Sequence, residues 1–186
     1  VGCNRCYAYL HKSEFYRHRC KFGERSKGRV VKNKALLLPP PNGMMPNVWK
    51  LINGMNDGDI KLIARNDLII TKFAAKLLQK HTFQQREYMR AKIREIARFL
   101  QQMRRRHGQM SLQDCLRPCQ FRNVIAAVKS LAGYDEETGA YEKPSLALKV
   151  GHSLKKCARI MKTESILNMD KSAVEDADRF FELCEM

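Results

Sequence analysis

The sequence predicts an all-α protein: a compact bundle of about five helices, preceded by a small zinc finger and a basic, Pro-rich linker. Three observations carry this expectation. Beyond residue 60, apolar residues recur at helical spacing, and no alternating run demands a sheet. Cysteine and histidine cluster within the first 22 residues. Between these regions lies sequence rich in Lys, Arg, Gly and Pro, without helical period. The expected domains are therefore residues 1–22, 23–60 and 61–186.

Composition agrees with a globular chain of 186 residues that is 44% hydrophobic. No apolar run approaches the ~20 residues of a membrane span. An anionic membrane surface is the rival polyanion, set below nucleic acid because the basic helix needs its apolar face for a core, so no membrane role is expected. The net charge of +16 is unevenly placed. Residues 1–34 carry ten Lys/Arg against two acids, and residues 64–132 carry fifteen against four. Residues 35–63 balance, and the final stretch is slightly acidic. Such asymmetry points to a polyanionic partner, most often nucleic acid.

The first stretch holds Cys3 and Cys6 in a CxxC, then His18 and Cys20, giving C-x2-C-x11-H-x-C. Thiolates and imidazole in tetrahedral array suit Zn2+, and a metal can replace a core too small to fold alone. Tyr9, Phe15 and His18 follow the F-x5-L-x2-H skeleton of small zinc fingers. His18 and Cys20 are two apart and share no helix face, so the finger helix must end at or just after His18. His11 is a spare candidate ligand, and the plainer reading is a CxxC in a basic tail. Base reading would fall around Lys12, Arg17 and Arg19.

The linker contains RSKGRVVKNK, a nuclear-localisation patch, a DNA-contacting arm or simply solvated chain, and then a Pro triplet. Residues 48–51 (VWKL) read as a short docking turn. Asn53-Gly54 and Asp57-Gly58 are turn signals that argue against a long regular element there.

From residue 64 the pattern is helical. Asn66 or Asp67 caps a helix through about Gln79, with Ile70, Phe73, Ala74 and Leu77 inside. Residues 84–106 form the densest helix. Met89, Ile93, Ile96, Leu100 and Met103 make an apolar stripe, while Arg86, Arg90, Arg94 and Arg98 recur every four residues beside it. Arg104, Arg105 and Arg106 precede Gly108 at its end, where cations complement the helix dipole. Ser111 and Asp114 make a capping-box pattern. Pro118 opens a helix lined by Phe121, Val124, Ile125, Val128 and Leu131. The acidic turn YDEETGAYEK follows, and Pro144 opens a helix whose outer positions hold Lys149, Lys155, Lys156, Arg159 and Lys162. Asp170 or Ser172 caps the last helix.

Three stretches resemble the N-terminal part of metazoan, transposon-derived proteins related to tyrosine recombinases. They are REYMRAKIREIARFL (residues 86–100), CQFRNVIAAVKSLAGYDEETGAYEKPSLALKVGHSLKKC (residues 119–157), and the cysteine knuckle with its basic linker. The resemblance implies that residues 61–186 act like a core-binding domain clamping double-stranded DNA. It also implies a nuclear protein whose recombinase-like catalytic domain lies beyond Met186. The absence of His-x-x-Arg here agrees: none of the five histidines has Arg three residues on.

The expected function is thus a non-enzymatic DNA-binding module making mainly phosphate contacts, through Arg86, Arg90, Arg94, Arg98, Arg104 to Arg106, then Lys155, Lys156 and Arg159. The alternative is a protein-interaction adaptor with a structural zinc finger. No small-molecule substrate is expected. The helical region is expected to lack the exposed aromatic platforms of single-strand readers.

Overall fold

The computed structural model describes residues 43–56 and 58–186, with His11, Ser13, Glu14, Arg17 and His18. The expected zinc ligands Cys3, Cys6 and Cys20, the cations Lys12 and Arg19, and most of the linker lie outside the described residues. The chain divides into two units, Val1–Gly43 and Met44–Met186. In the first, Glu14 N–H donates to His11 O and Arg17 N–H to Glu14 O, each at 3.0 Å. Arg17 stands in a 3-10 turn and His18 in irregular backbone.

The second unit is all-α among the described residues. Its helices are α1 (Pro46–Asn53), α2 (Gly58–Asn66), α3 (Leu68–Lys80), α4 (Arg86–His107), α5 (Leu112–Cys115), α6 (Phe121–Leu131), α7 (Pro144–Leu167) and α8 (Lys171–Leu183). The expectation of about five helices is low: α1 and α2 are additional, and the one-turn α5 is the short turn of helix that the capping box predicts. As the turn signals indicated, no long element forms over residues 48–60: Gly54 follows the end of α1 and Gly58 starts α2, each a short helix. Pro46 sits at the first turn of α1, where its missing N–H costs nothing. Val48, Leu51 and Ile52 then point inward and are essentially fully buried. The helical unit therefore begins at Met44 rather than at residue 61.

Helix α4 is the axis of the unit and packs against α1, α2, α3, α6 and α7. Its apolar stripe of Met89, Ile93, Ile96, Leu100 and Met103 is wholly buried, joined by Ala97 and Phe99. Truncating a buried ring such as Phe99 costs about 3–5 kcal/mol by the usual transfer and cavity terms. Helices α7 and α8 form an αα hairpin, turning at Met169 with φ 57°.

Asp67 joins two helix starts. It is 3% exposed, and its Oδ1 accepts from Ile70 N–H at 3.0 Å, capping α3. Its Oδ2 accepts from Leu112 N–H at 2.7 Å, at the start of α5. Ser111 and Asp114 make the expected capping box, and the two hydrogen bonds from Ser111 hold the Asp114 carboxyl below the usual range. The acidic turn closes through a Tyr134–Tyr141 bridge and begins at Gly133, whose φ of 65° suits glycine.

Candidate nucleic-acid interface

The two flanks of α4 do different work. On one flank, Arg90 is mostly covered, with 13% of its side chain exposed. Its Nε donates to Leu51 O at 3.0 Å, satisfying a carbonyl at the end of α1. Its Nη1 donates to Glu87 Oε1 at 2.6 Å. The guanidinium occupies the space a side chain at position 54 would need, so Gly54 is there to admit it. Arg86 and Arg94 also approach Glu87, at 3.9 and 3.7 Å. Arg104 Nε donates to Met110 O at 2.8 Å and ties down the chain after α4. The arginines of α4 thus do not all serve one open row: Arg90 and Arg104 hold backbone carbonyls. Arg98, Arg105 and Arg106 are exposed.

On the other flank, Tyr88 and Lys92 face α7 across a groove of about 440 Å³. From α7, Lys149, His152, Lys155, Lys156 and Arg159 line the same groove. Lys155 Nζ donates to Glu185 Oε1 at 2.7 Å, which lowers the pKa of that carboxyl. Lys92 pairs with Glu95 at 3.0 Å.

A second recess of about 270 Å³ lies between α3 and α7. Lys76, Lys80 and His81 form its α3 side, and Lys156 and Arg159 form its α7 side. Lys156 and Arg159 therefore line both recesses and make them one basic trough. His81 and Tyr88 meet edge to face between them, with ring centroids 5.0 Å apart at 61°. Arg159 is exposed and held over the Phe181 ring, 4.6 Å from its centroid.

The structure places Lys155, Lys156 and Arg159 along the larger groove and joins the last two to residues that the expected contacts did not include: Tyr88, Lys92, Lys76, Lys80, His81 and His152. One signal was available. Lys72, Lys76 and Lys80 recur every four residues along α3, the same spacing that drew attention to the arginines. Lys72 itself pairs with Glu164 at 2.8 Å. Two aromatic rings of the helical unit are partly open to solvent, Tyr88 at 47% and Phe83 at 54% exposure.

Of the cysteines in the helical unit, Cys119 is exposed and Cys184 is partly covered. Cys115 and Cys157 are fully buried. Burial, with help from the Asp67 and Asp114 carboxylates, pushes the Cys115 thiol up to about 12. Burial also raises Cys157 and Cys184. Thiols held neutral are weak nucleophiles and poor metal ligands. Among the described residues, no three His, Cys, Asp or Glu side chains are grouped to hold a metal ion. No described helix is long and apolar enough to cross a membrane.

Comparison with protein-family models, with curated proteins and with solved structures returned no match to this chain.

Proposed function

We propose that this chain is a DNA-binding module whose helical unit grips the phosphate backbone through the trough along α3, α4 and α7. The observation that carries this reading is convergence. Cations far apart in sequence, from Lys76 to Arg159, meet on one surface where Glu185 is the acid lining the larger groove. Arginine and lysine there offer charge and donors that suit phosphate oxygens. The contacts would be mainly sequence-independent, fixing register more than reading bases.

In this reading Cys3, Cys6, His18 and Cys20 bind Zn2+ and form a finger that adds contacts through Lys12, Arg17 and Arg19. The support is the ligand spacing. The resemblance to transposon-derived, tyrosine-recombinase-like proteins supports a nuclear, non-catalytic role beside a catalytic domain. The test is fluorescence anisotropy on duplex DNA across a salt series, with and without a zinc chelator. A steep fall in affinity with salt is the expected result. Loss of affinity on chelation assigns part of the grip to the finger. Absence of binding at low salt would overturn the reading.

A second reading, a protein-interaction adaptor, draws on a different surface. A groove of about 500 Å³ between α6, α7 and the end of α8 is lined by Phe121, Ile125, Leu154, Leu183 and Met186. Partner binding that persists at high salt would favour it.

A further inference from the structure

We infer that the trough takes an unpaired stretch of nucleic acid: one base enters the recess between α3 and α7, a neighbouring base rests on Tyr88, and the intervening phosphate sits on Lys156 and Arg159. The inference rests on the polyanion reading above and specifies the form of the ligand.

The recess between α3 and α7 is amphiphilic. Its floor is Phe73, Leu77 and Ile160, while its rim is Lys80, Lys156 and Arg159. A phosphate group gains nothing from an apolar floor. A nucleobase does, and it carries phosphates on both sides to meet the rim. Intact duplex keeps its base faces stacked inside and offers phosphates to the outside, so it has no group to fill this floor. Both recesses, at about 440 and 270 Å³, are close to the scale of small-ligand clefts rather than of a flat basic face.

Tyr88 supplies the second element. Nearly half of its surface is open, and it lines the larger groove with Lys156 and Arg159. His81 braces its ring, so a base stacking there meets a positioned platform. Lys92 Nζ lies over the same ring, 6.0 Å from its centroid, and pairs with Glu95 at 3.0 Å, so it must swing aside for a base to stack on that face. Stacking platforms set in a cationic groove are how proteins hold single strands without reading sequence. The helical unit therefore favours gaps, bubbles or junctions over uninterrupted duplex.

The test uses the full chain with three labelled probes: an oligothymidylate, a duplex of equal length, and that duplex with a central unpaired stretch. Anisotropy at low salt should show the two unpaired probes bound about tenfold more tightly than the intact duplex. Tyr88→Ala should remove most of that margin and Tyr88→Phe should retain it. If Tyr88→Ala lacks a cooperative melt, Tyr88→Leu carries the same comparison with the bulk kept. Lys156→Ala with Arg159→Ala should weaken all three probes together. Equal affinity for paired and unpaired probes, or a margin indifferent to loss of the Tyr88 ring, overturns this inference and leaves the DNA-binding reading standing. Absence of binding to every probe overturns both. Binding to phosphatidylinositol-bisphosphate vesicles that no oligonucleotide displaces overturns it in favour of a lipid headgroup.

Discussion

The Arg90 flank of helix α4 is the richer in charge, yet the Tyr88 flank, with fewer charges, faces the trough. Arg90 and Arg94 share the carboxylate of Glu87, and Arg90 also closes the end of α1. Across the helix, Lys92 meets lysines, a histidine and an arginine from α7. Charge density along a chain counts cations. What a polyanion feels is the set of cations that share a surface, less those already held by protein acceptors, as Lys92 is by Glu95 and Lys155 by Glu185 in the trough.

Arg90 separates the two flanks most sharply. Replacing it with Ala leaves Leu51 O without its donor and Glu87 without its nearest partner. A stability loss of about 2–3 kcal/mol is expected from a buried, charge-assisted hydrogen bond, read by denaturant unfolding. Gly54→Ala should act in the same direction, because the new methyl displaces the guanidinium. In both variants the protein that remains folded should keep its affinity for DNA. A variant that melts like the wild type but loses DNA affinity would return Arg90 to the binding surface.

The core beneath both flanks gives a pH signature. Cys115 has its pKa raised by burial from 9.0 to about 12. A raised thiol pKa favours the folded state below the unfolded value, so this contribution is complete below about 9. It declines as the pH rises toward about 12, because the unfolded chain ionises its thiol first. Alkaline unfolding should therefore begin earlier in the wild type than in Cys115→Ala, relative to each protein's own neutral stability. Peptide mapping after thiol labelling should find exposed Cys119 modified before Cys115 and Cys157.

Most of this architecture was legible because it follows from spacing. The apolar stripe of α4, the acidic turn and the capping box all rest on local patterns that packing reinforces. Helices α1 and α2 were hidden because each is short and bounded by turn residues. Their burial comes from α4, which no local window contains. The trough was only partly legible for a similar reason. Lys155, Lys156 and Arg159 lie on one helix, but their meeting with Lys80 and Tyr88 depends on how α3 and α4 cross α7. Spacing also could not reveal that Arg90 reaches a carbonyl 39 residues upstream.

The smallest effect sharpens the other side of the comparison. Glu185 holds Lys155 at the edge of the larger groove. Glu185→Gln should release that ammonium and raise DNA affinity at low salt by about two- to threefold, the scale of an exposed ion pair. Unchanged affinity would mean that Lys155 lies outside the ligand's path.

On this reading the trough, not the arginine row, holds the phosphates. The measurement is the slope of log affinity against log salt on duplex DNA for three proteins: wild type, Lys156→Ala with Arg159→Ala, and Arg94→Ala with Arg98→Ala. The account predicts a slope shallower by about two in the trough variant, roughly one for each lost phosphate contact, and a nearly unchanged slope in the arginine-row variant. A shallower slope in the arginine-row variant, with the trough variant matching wild type, would contradict it.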